Sequence, residues 1–301
     1  MSAPGVLALA DELGPRGRRR VRIATGVAGL LLLLLAWVAV RRLGDRGQLD
    51  WARWEPFTQW SVMKFLLLGM VNTLKAAAAA MGLALLLGSA LALLRLSRTA
   101  PLRWFAAGFV EFFRGVPLLL LIFFTFFGLR KYDIDISPFR ALVLALAIYN
   151  GAVLGEIFRA GIRSLDRGQT EAAYAMGLSY WQAMGLVVIP QAVRRMVPAI
   201  VSQLVTLLKD TSLGYIVTYD ELLRRSRSTG QFFNNPLQTT VVVALMYIGV
   251  NYALSRLARW LEVRQRRRFG AGAIIVGGAE DLNTVGLVAA SATDDLEPTV
   301  A

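Results

Sequence analysis

The sequence predicts an all-α, polytopic membrane protein with about six transmembrane helices. Of its 301 residues, 56% are hydrophobic, and the mean hydropathy is +0.53, whereas a soluble domain is about 45–50% apolar. Several apolar runs reach the roughly 20 residues that are needed to cross about 30 Å of hydrocarbon. Arginines collect between these runs, as is typical of membrane proteins.

The residue types that the chain lacks exclude several kinds of site. It has no cysteine and no histidine, which removes disulfides, thiol nucleophiles, serine–histidine–aspartate triads, histidine proton relays and most zinc sites. The sequence contains no phosphate-binding G-x-x-x-x-G-K-[ST] loop and no paired-carboxylate or nucleophile–base constellation. We therefore predict no catalytic residue, no metal site and no cofactor in this chain, which counts against a membrane enzyme.

The net charge is +13 and comes almost wholly from arginine. In a soluble protein such a charge would suggest nucleic acid binding. In a membrane protein, basic residues gather at the cytoplasmic ends of spans, next to anionic lipid. We therefore predict membrane lipid as a partner and no nucleic acid.

The first apolar run, Ile23 to Val40, follows a polar, basic tail at 1–22. The tail is long for a signal peptide and no small-x-small cleavage site precedes Arg41, so we predict a retained transmembrane helix at 23–40. The later runs lie at 65–94, 105–129, 141–158, 193–218 and 236–257. Residues 261–301 begin basic and continue without a helical period, which predicts a disordered tail.

Charge counting gives the orientation of the spans. With six spans, both termini lie on one side of the membrane. The tails and loops on that side contain 19 lysines and arginines, against 11 on the other side. The excess predicts that both termini and the loop at 161–193 are cytoplasmic.

Two pairs of opposite charges lie three residues apart inside or at the ends of the apolar runs. Glu111 precedes Arg114, and Glu156 precedes Arg159. Residues at this spacing share one helix face and can neutralise each other. We predict that both pairs are structural, with a role in function as the alternative.

Other polar groups inside the runs are candidates for a substrate pathway, because such groups are costly in a membrane and are usually functional. Gly115 and Pro117 are expected to break the third helix, which membranes tolerate beside a cavity. Arg114 and Lys209 can bind a carboxylate in that cavity. The full set of predicted pathway residues is Arg114, Asn150, Lys209, Asp210, Thr211 and Ser212.

The stretch at 169–192 is polar enough to lie outside the membrane and carries signals for two short helices. Thr170 can cap a helix that begins at Glu171. Gly177 can end that helix, since glycine adopts a left-handed conformation at little cost.

The second helix of this stretch has its own start and stop signals. Ser179 can cap it, and Gln182, three residues further on, completes a capping box. Pro190 is expected to stop or redirect the chain before the next span. The bland interpretation of the whole stretch is an ordinary interfacial loop.

The exact residues resemble the membrane subunits of ATP-binding-cassette importers, specifically the polar amino acid permeases. The family signature is Glu-Ala-Ala, three residues, Gly, nine residues and then aliphatic-x-aliphatic-Pro. Here it reads Glu171-Ala172-Ala173, Gly177 and Val187-Val188-Ile189-Pro190. Three further stretches agree with the family, namely FRGVPLLL at 113–120, EIFRAGI at 156–162 and LLKDTSLG at 207–214.

The resemblance covers about residues 61–260. Within the family, the sequence most resembles glutamate-uptake permeases of actinobacteria. It implies a MetI-like, type I importer permease core at 61–260, with one extra helix at 23–40 and a cytoplasmic coupling loop at 161–193. It also implies that a separate ATPase docks on this loop. The docking residues would be Glu171, Ala172, Ala173, Gly177 and Pro190.

The resemblance further implies several partners in a bacterial plasma membrane. They are an ATPase dimer that binds ATP and Mg, a second permease subunit (a similar chain or a second copy), and an extracytoplasmic amino acid-binding protein. The implied function is ATP-powered import of a polar amino acid, with glutamate as the leading substrate. The alternatives are a glutamine, arginine or histidine permease, or an ATP-independent secondary transporter, which should show inverted repeats that we do not see.

Overall fold

A computed structural model describes residues 14–97, 99–257 and 259–260, and within them it contains helices and no strand. Five helices are long and apolar enough to cross a membrane, and a bent helix pair adds a sixth candidate span. The prediction of an all-α protein with about six spans is confirmed. The helices are α1 (Pro15–Asp45), α2 (Trp60–Leu96), α3 (Ala100–Gly115), α4 (Leu118–Lys131), α5 (Pro138–Arg163), α6 (Arg167–Ala175), α7 (Tyr180–Val217), α8 (Leu222–Phe232) and α9 (Pro236–Leu257).

Helix α1 contains the predicted first span and extends beyond it at both ends. Pro15 stands in its first turn, where a missing N–H costs nothing. None of its apolar stretch is buried against the rest of the chain, so its leucines face lipid. The predicted tail at 1–22 lies partly outside the described residues, and the predicted tail at 261–301 lies wholly outside them.

The core is built on the contact between α2 and α5, the most extensive in the described chain. Small residues let the two backbones approach. A Cβ on Gly88 would lie 2.8 Å from Leu154 Cβ and 3.0 Å from Gly151 O. Because lipid is as apolar as a side chain, close packing of this kind is what holds membrane helices together.

The third predicted run is broken where Gly115 and Pro117 predicted a break. Helices α3 and α4 meet there at 101°. The amide of Val116 still bonds to Phe112 O at 3.1 Å, but Pro117 has no N–H with which to continue the ladder. The predicted run at 105–129 is therefore two helices that form one bent element.

The prediction for Pro190 is wrong. Helix α7 runs without interruption through Pro190 from the coupling loop to Val217, so the second loop helix and the predicted span at 193–218 are one element. A π-helical turn, Met184–Val188, comes just before the proline. Such a turn widens the backbone ladder by one residue, and it leaves Pro190 in the first turn of the α-helical segment Ile189–Asp210.

Candidate functional site

Helix α6 of the coupling loop starts earlier than predicted. Asp166 is its cap, and its Oδ1 accepts from Gly168 N at 2.9 Å. Thr170 lies inside the helix and does not cap it, so that prediction is wrong. An aspartate outcompetes the threonine because its side chain reaches the free N–H groups of the first turn at Arg167 and satisfies one of them.

The predicted glycine end of α6 is confirmed. Gly177 has a φ of +80°, its amide bonds to Tyr174 O at 2.9 Å, and the amide of Leu178 bonds to Ala173 O at 3.2 Å. This pair of bonds is a Schellman motif. The position where a Cβ of residue 177 would lie is open space, so the glycine is required by backbone conformation and also leaves a bare surface.

The predicted capping box at the start of α7 is also confirmed. Gln182 Oε1 accepts from Ser179 N at 2.9 Å. Two longer-range bonds tie the loop to the spans. Gln191 Nε2 bonds to Gln169 Oε1 at 3.1 Å, and Arg195 donates to Ser164 O at 2.7 Å.

The predicted docking residues differ in their exposure. Glu171, Ala172 and Gly177 are exposed and Pro190 is half-buried, but Ala173 is only 1% exposed. Ala173 packs inside its own chain, so its small size serves the internal packing of the loop and gives a partner no direct contact. The loop as folded therefore presents only part of the predicted set.

Sequence reasoning missed four large apolar side chains on the same loop. Their exposed fractions are 43% for Tyr174, 75% for Met176, 73% for Trp181 and 69% for Leu186. Large apolar groups that lie together on a surface mark an interaction site. The signal that could have found them is the position of such residues on the exposed faces of a polar loop.

Glu156 lies at the coupling-loop end of α5 and is the centre of a charged cluster. The predicted pair with Arg159 forms, and Arg159 Nε also bonds to Glu156 Oε2 at 3.2 Å. Arg95 of α2, which sequence reasoning missed because it is 61 residues away, also pairs with Glu156 Oε2. One carboxylate therefore joins α2 to α5 between two guanidinium groups.

The predicted pair of Glu111 and Arg114 does not form in the described structure. Both side chains are exposed, and the structure shows no ion pair between them. An exposed pair at this spacing is worth only about 0.2–0.5 kcal/mol, which is too little to fix two long side chains.

Asn150 is fully buried, and its side-chain amide forms hydrogen bonds with two helices. Its Nδ2 donates to Leu146 O at 2.8 Å, and its Oδ1 accepts from Gln203 Nε2 at 2.6 Å. The predicted pathway residue therefore joins α5 to α7, and Gln203 is a partner that the sequence did not reveal.

The four predicted residues at 209–212 do not share one surface. Thr211 is fully buried, and its hydroxyl donates to Leu208 O at 2.6 Å. Asp210 is half-buried, whereas Lys209 is exposed. Lys209 and Ser212 both line a cavity of about 730 Å³ between α7 and α9. These two residues are the part of the predicted set that meets a space large enough for a small solute.

We call the segment that follows α7, residues 219–232, the far end of α7. It contains a polar network around a buried carboxylate. Glu221 is fully buried and caps α8, accepting from Leu223 N and Arg224 N at 2.6 Å each. The Tyr247 hydroxyl also donates to Glu221, at 3.2 Å. Burial raises the pKa of the Glu221 carboxyl to about 7, although the bonds from the two backbone amides act in the opposite direction.

The chain matches known proteins over most of its length. Residues 84–267 match the family described as binding-protein-dependent transport system inner membrane component. A glutamate transport system permease protein of Corynebacterium glutamicum is 42% identical over 75% of this chain and 84% of its own length. A probable glutamine ABC transporter permease protein of Bacillus subtilis is 43% identical over 67% of this chain and 94% of its own.

A solved structure agrees with the sequence relatives. The crystal structure of an amino acid ABC transporter with histidines matches with a TM-score of 0.66 and 29% identity, over 69% of this chain and 97% of that one. The chain therefore belongs to the binding-protein-dependent transport system inner membrane components, and among them it is an amino acid ABC transporter permease.

Proposed function

We propose that this permease imports an acidic amino acid, with glutamate as the leading substrate. It works with a second permease subunit, either a similar chain or a second copy. ATP and Mg are bound by a separate ATPase dimer, and an extracytoplasmic binding protein delivers the substrate. The charge bias of the loops supports a cytoplasmic position for both termini and for the coupling loop, where ATP is available.

The observation that carries the proposed coupling is the geometry of the coupling loop. Helix α6 ends at the left-handed Gly177, and α7 starts three residues later and runs to Val217. A displacement of the exposed loop is therefore transmitted directly to α7, a helix of 38 residues. An ATPase that closes on ATP would bias the two states of the spans in this way.

The charges at the inner ends of the spans support an anionic substrate. Arg95 and Arg159 both pair with the single carboxylate of Glu156, and this leaves an excess of positive charge. Lys209 adds a further cation beside the cavity between α7 and α9. Fixed cations raise the local concentration of an anionic solute.

A second candidate is import of another polar amino acid, of the glutamine, arginine or histidine type. Every amino acid carries an α-carboxylate, so Lys209 alone does not select the side chain. The 43% identity to a glutamine permease favours glutamine within this group.

The test is reconstitution of the chain with its ATPase and binding protein in vesicles, with ATP hydrolysis measured against a panel of amino acids. We expect glutamate to stimulate hydrolysis most strongly, and aspartate next. Stronger stimulation by glutamine or arginine would overturn the acidic assignment. Uptake that persists without the ATPase would overturn the powered mechanism and support a secondary transporter.

Lys209→Ala tests the cavity in the same assay. We expect uptake to fall by about tenfold, since a hydrogen bond to a charged group is worth about 1.5–3 kcal/mol, while the complex stays assembled because the Lys209 side chain is exposed. Lys209→Arg, which keeps the charge, is the matched control. Dissociation of the complex on alanine substitution would show that Lys209 is structural.

A further inference from the structure

Helix α9, together with Arg259 two residues beyond its end, carries a polar row that the sequence analysis did not single out. Tyr247, Asn251, Ser255 and Arg259 follow one another at intervals of four residues, a spacing that places them on one face of a helix. All four line the 730 Å³ cavity, together with Lys209 and Ser212 of α7. The cavity is therefore a groove that follows α9 for roughly 22 Å from Ala244 to Arg259, at 1.5 Å per residue.

The charged residues that line this groove are all cations. Two of the residues that line it are cations, Lys209 and Arg259, and none is acidic. Asn251 donates to Tyr247 O at 2.8 Å, but its buried Oδ1 has no hydrogen-bond partner among the described residues. The hydroxyls of Ser212 and Ser255 also line the groove and can donate to an anion, whereas the unpaired Asn251 Oδ1 can only accept.

The groove cannot face lipid along its whole length, because polar groups in contact with hydrocarbon are costly. Its other wall has to be a second permease subunit or water. The opposite face of α9 is different in kind. There Leu245 is 62% exposed, and Gly249 and Ala253 are also exposed, which is the composition of a lipid-facing surface.

We propose that the groove between α7 and α9 is the path of the carboxylate-bearing solute, with Lys209 as one binding point and Arg259 as the other. This inference rests on the proposed function and adds a route and two residues to it. Passage between sites requires that each binds strongly enough for entry and weakly enough for exit. Two single cations, separated by neutral donors, meet that requirement.

The absence of cysteine from the natural chain makes the path directly testable. Ser255→Cys places one thiol in the middle of the polar row. Ala253→Cys places one at nearly the same depth on the lipid face, since two residues along a helix turn the side chain by about 200°. Both variants go into the complete complex in vesicles, with a negatively charged sulfonate thiosulfonate and a positively charged ammonium thiosulfonate of similar size as probes.

We expect the sulfonate probe to modify Ser255→Cys about tenfold faster than the ammonium probe, at the lower end of electrostatic focusing in charged clefts. Glutamate at saturating concentration should slow this modification, and Ala253→Cys should be unreactive. No reaction at Ser255→Cys would show a dry subunit interface and overturn the proposal. Reaction at equal rates with both probes, without protection by glutamate, would also overturn it.

A charge variant supplies an independent measurement. Arg259→Gln should lower glutamate uptake severalfold, whereas Arg256→Gln, one turn earlier and outside the groove, should leave uptake unchanged. Equal uptake by both variants would overturn the role of Arg259. Failure of the wild-type complex to take up glutamate would refute the proposed function. Normal uptake of glutamate, together with no selective modification of Ser255→Cys, would refute the groove as the path and leave the proposed function standing.

Discussion

The coupling loop and the far end of α7 are held together in opposite ways. In the coupling loop, the bonds that shape the backbone join residues two to five positions apart, as in the Schellman motif at Gly177 and the capping box at Ser179. At the far end, the local cap at Glu221 is joined by bonds between distant parts of the chain. Tyr219 donates to Asn72 O, and Arg225 donates to Phe65 O, across 147 and 160 residues.

The difference shows which end is built to move. Local bonds survive when a segment shifts as a body, so the coupling loop can follow a partner without losing its shape. Long-range bonds break under the same shift, so the α8 end resists movement relative to α2 and α9. We therefore expect changes in the coupling loop to alter coupling and changes around Glu221 to alter stability.

The largest effect is expected from Glu221→Ala, at about 3 kcal/mol of stability. The change removes a helix cap and leaves two backbone amides and the Tyr247 hydroxyl without their buried acceptor. Thermal unfolding of the purified chain in detergent should show a midpoint lower by roughly 6–12 °C.

Asp220→Ala is the control for Glu221→Ala. Its carboxylate pairs with Arg225 at 2.5 Å but is half-exposed, so its loss should cost at most about 1 kcal/mol. Equal shifts in the two variants would contradict the central role of the buried carboxylate. Loss of coupling without loss of stability in Glu221→Ala would contradict the contrast between the two ends.

Gly177→Asp should have the next largest effect, and on coupling. An aspartate at φ +80° strains the backbone by about 1–2 kcal/mol and puts a charge on the bare surface offered to the ATPase. We expect glutamate-stimulated ATP hydrolysis by the reconstituted complex to fall about tenfold, equivalent to about 1.4 kcal/mol.

Gly177→Asn separates the two causes of that loss. Asparagine has the shape of aspartate and adopts the left-handed conformation about as readily, but it carries no charge, so any stimulated hydrolysis that it keeps beyond Gly177→Asp measures the effect of the charge. Normal glutamate-stimulated ATP hydrolysis in Gly177→Asp would contradict the proposal that an ATPase docks at this surface.

The same contrast explains how far the sequence could predict the structure. Signals within a few residues were sufficient for the spans, for the break at Gly115 and Pro117, for the end of α6 at Gly177 and for the capping box. The continuous course of α7 was missed because Pro190 normally ends a helix, and the π-helical turn that accommodates it has no clear sequence pattern.

Partners far apart in the sequence could not be predicted. Arg95 and Glu156 are 61 residues apart, and Gln203 and Asn150 are 53 apart, so no spacing rule connects them. The burial of Ala173 was missed for the same reason, since a small residue serves a close contact inside the chain as readily as one with a partner. The fold was therefore easier to predict than the site.

The pH dependence of stability should sharpen the contrast, because the carboxyl whose pKa burial raises to about 7 lies at the far end. Burial raises the pKa of Glu221 to about 7, from an ordinary value of 4.5. The folded state then holds a proton that the unfolded state releases, so the contribution is fully present below pH 4.5 and is lost as pH rises to about 7. The slope should be at most about 1.4 kcal/mol per pH unit.

Glu221→Gln isolates this contribution, since the neutral amide keeps the shape of the side chain and does not titrate. The difference in thermal midpoint between the wild-type chain and Glu221→Gln should change between pH 4.5 and pH 7, in favour of the variant as pH rises. A difference that stays constant across this window would show that Glu221 titrates near its ordinary pKa.

The smallest effect is expected from Gln182→Ala, at about 0.5–1 kcal/mol, because one exposed hydrogen bond at a helix start is lost. Removing the acceptor of the Ser179 amide should loosen only the first turn of α7, so amide hydrogen exchange should rise there while the unfolding midpoint stays nearly constant. Gln182→Glu keeps the acceptor and adds a negative charge that a helix N-terminus favours, so it should slow exchange at the same amides. Faster exchange around Glu221 in Gln182→Ala would mean that the two ends are coupled at rest, because a change confined to the coupling loop would then have reached the far end without ATP.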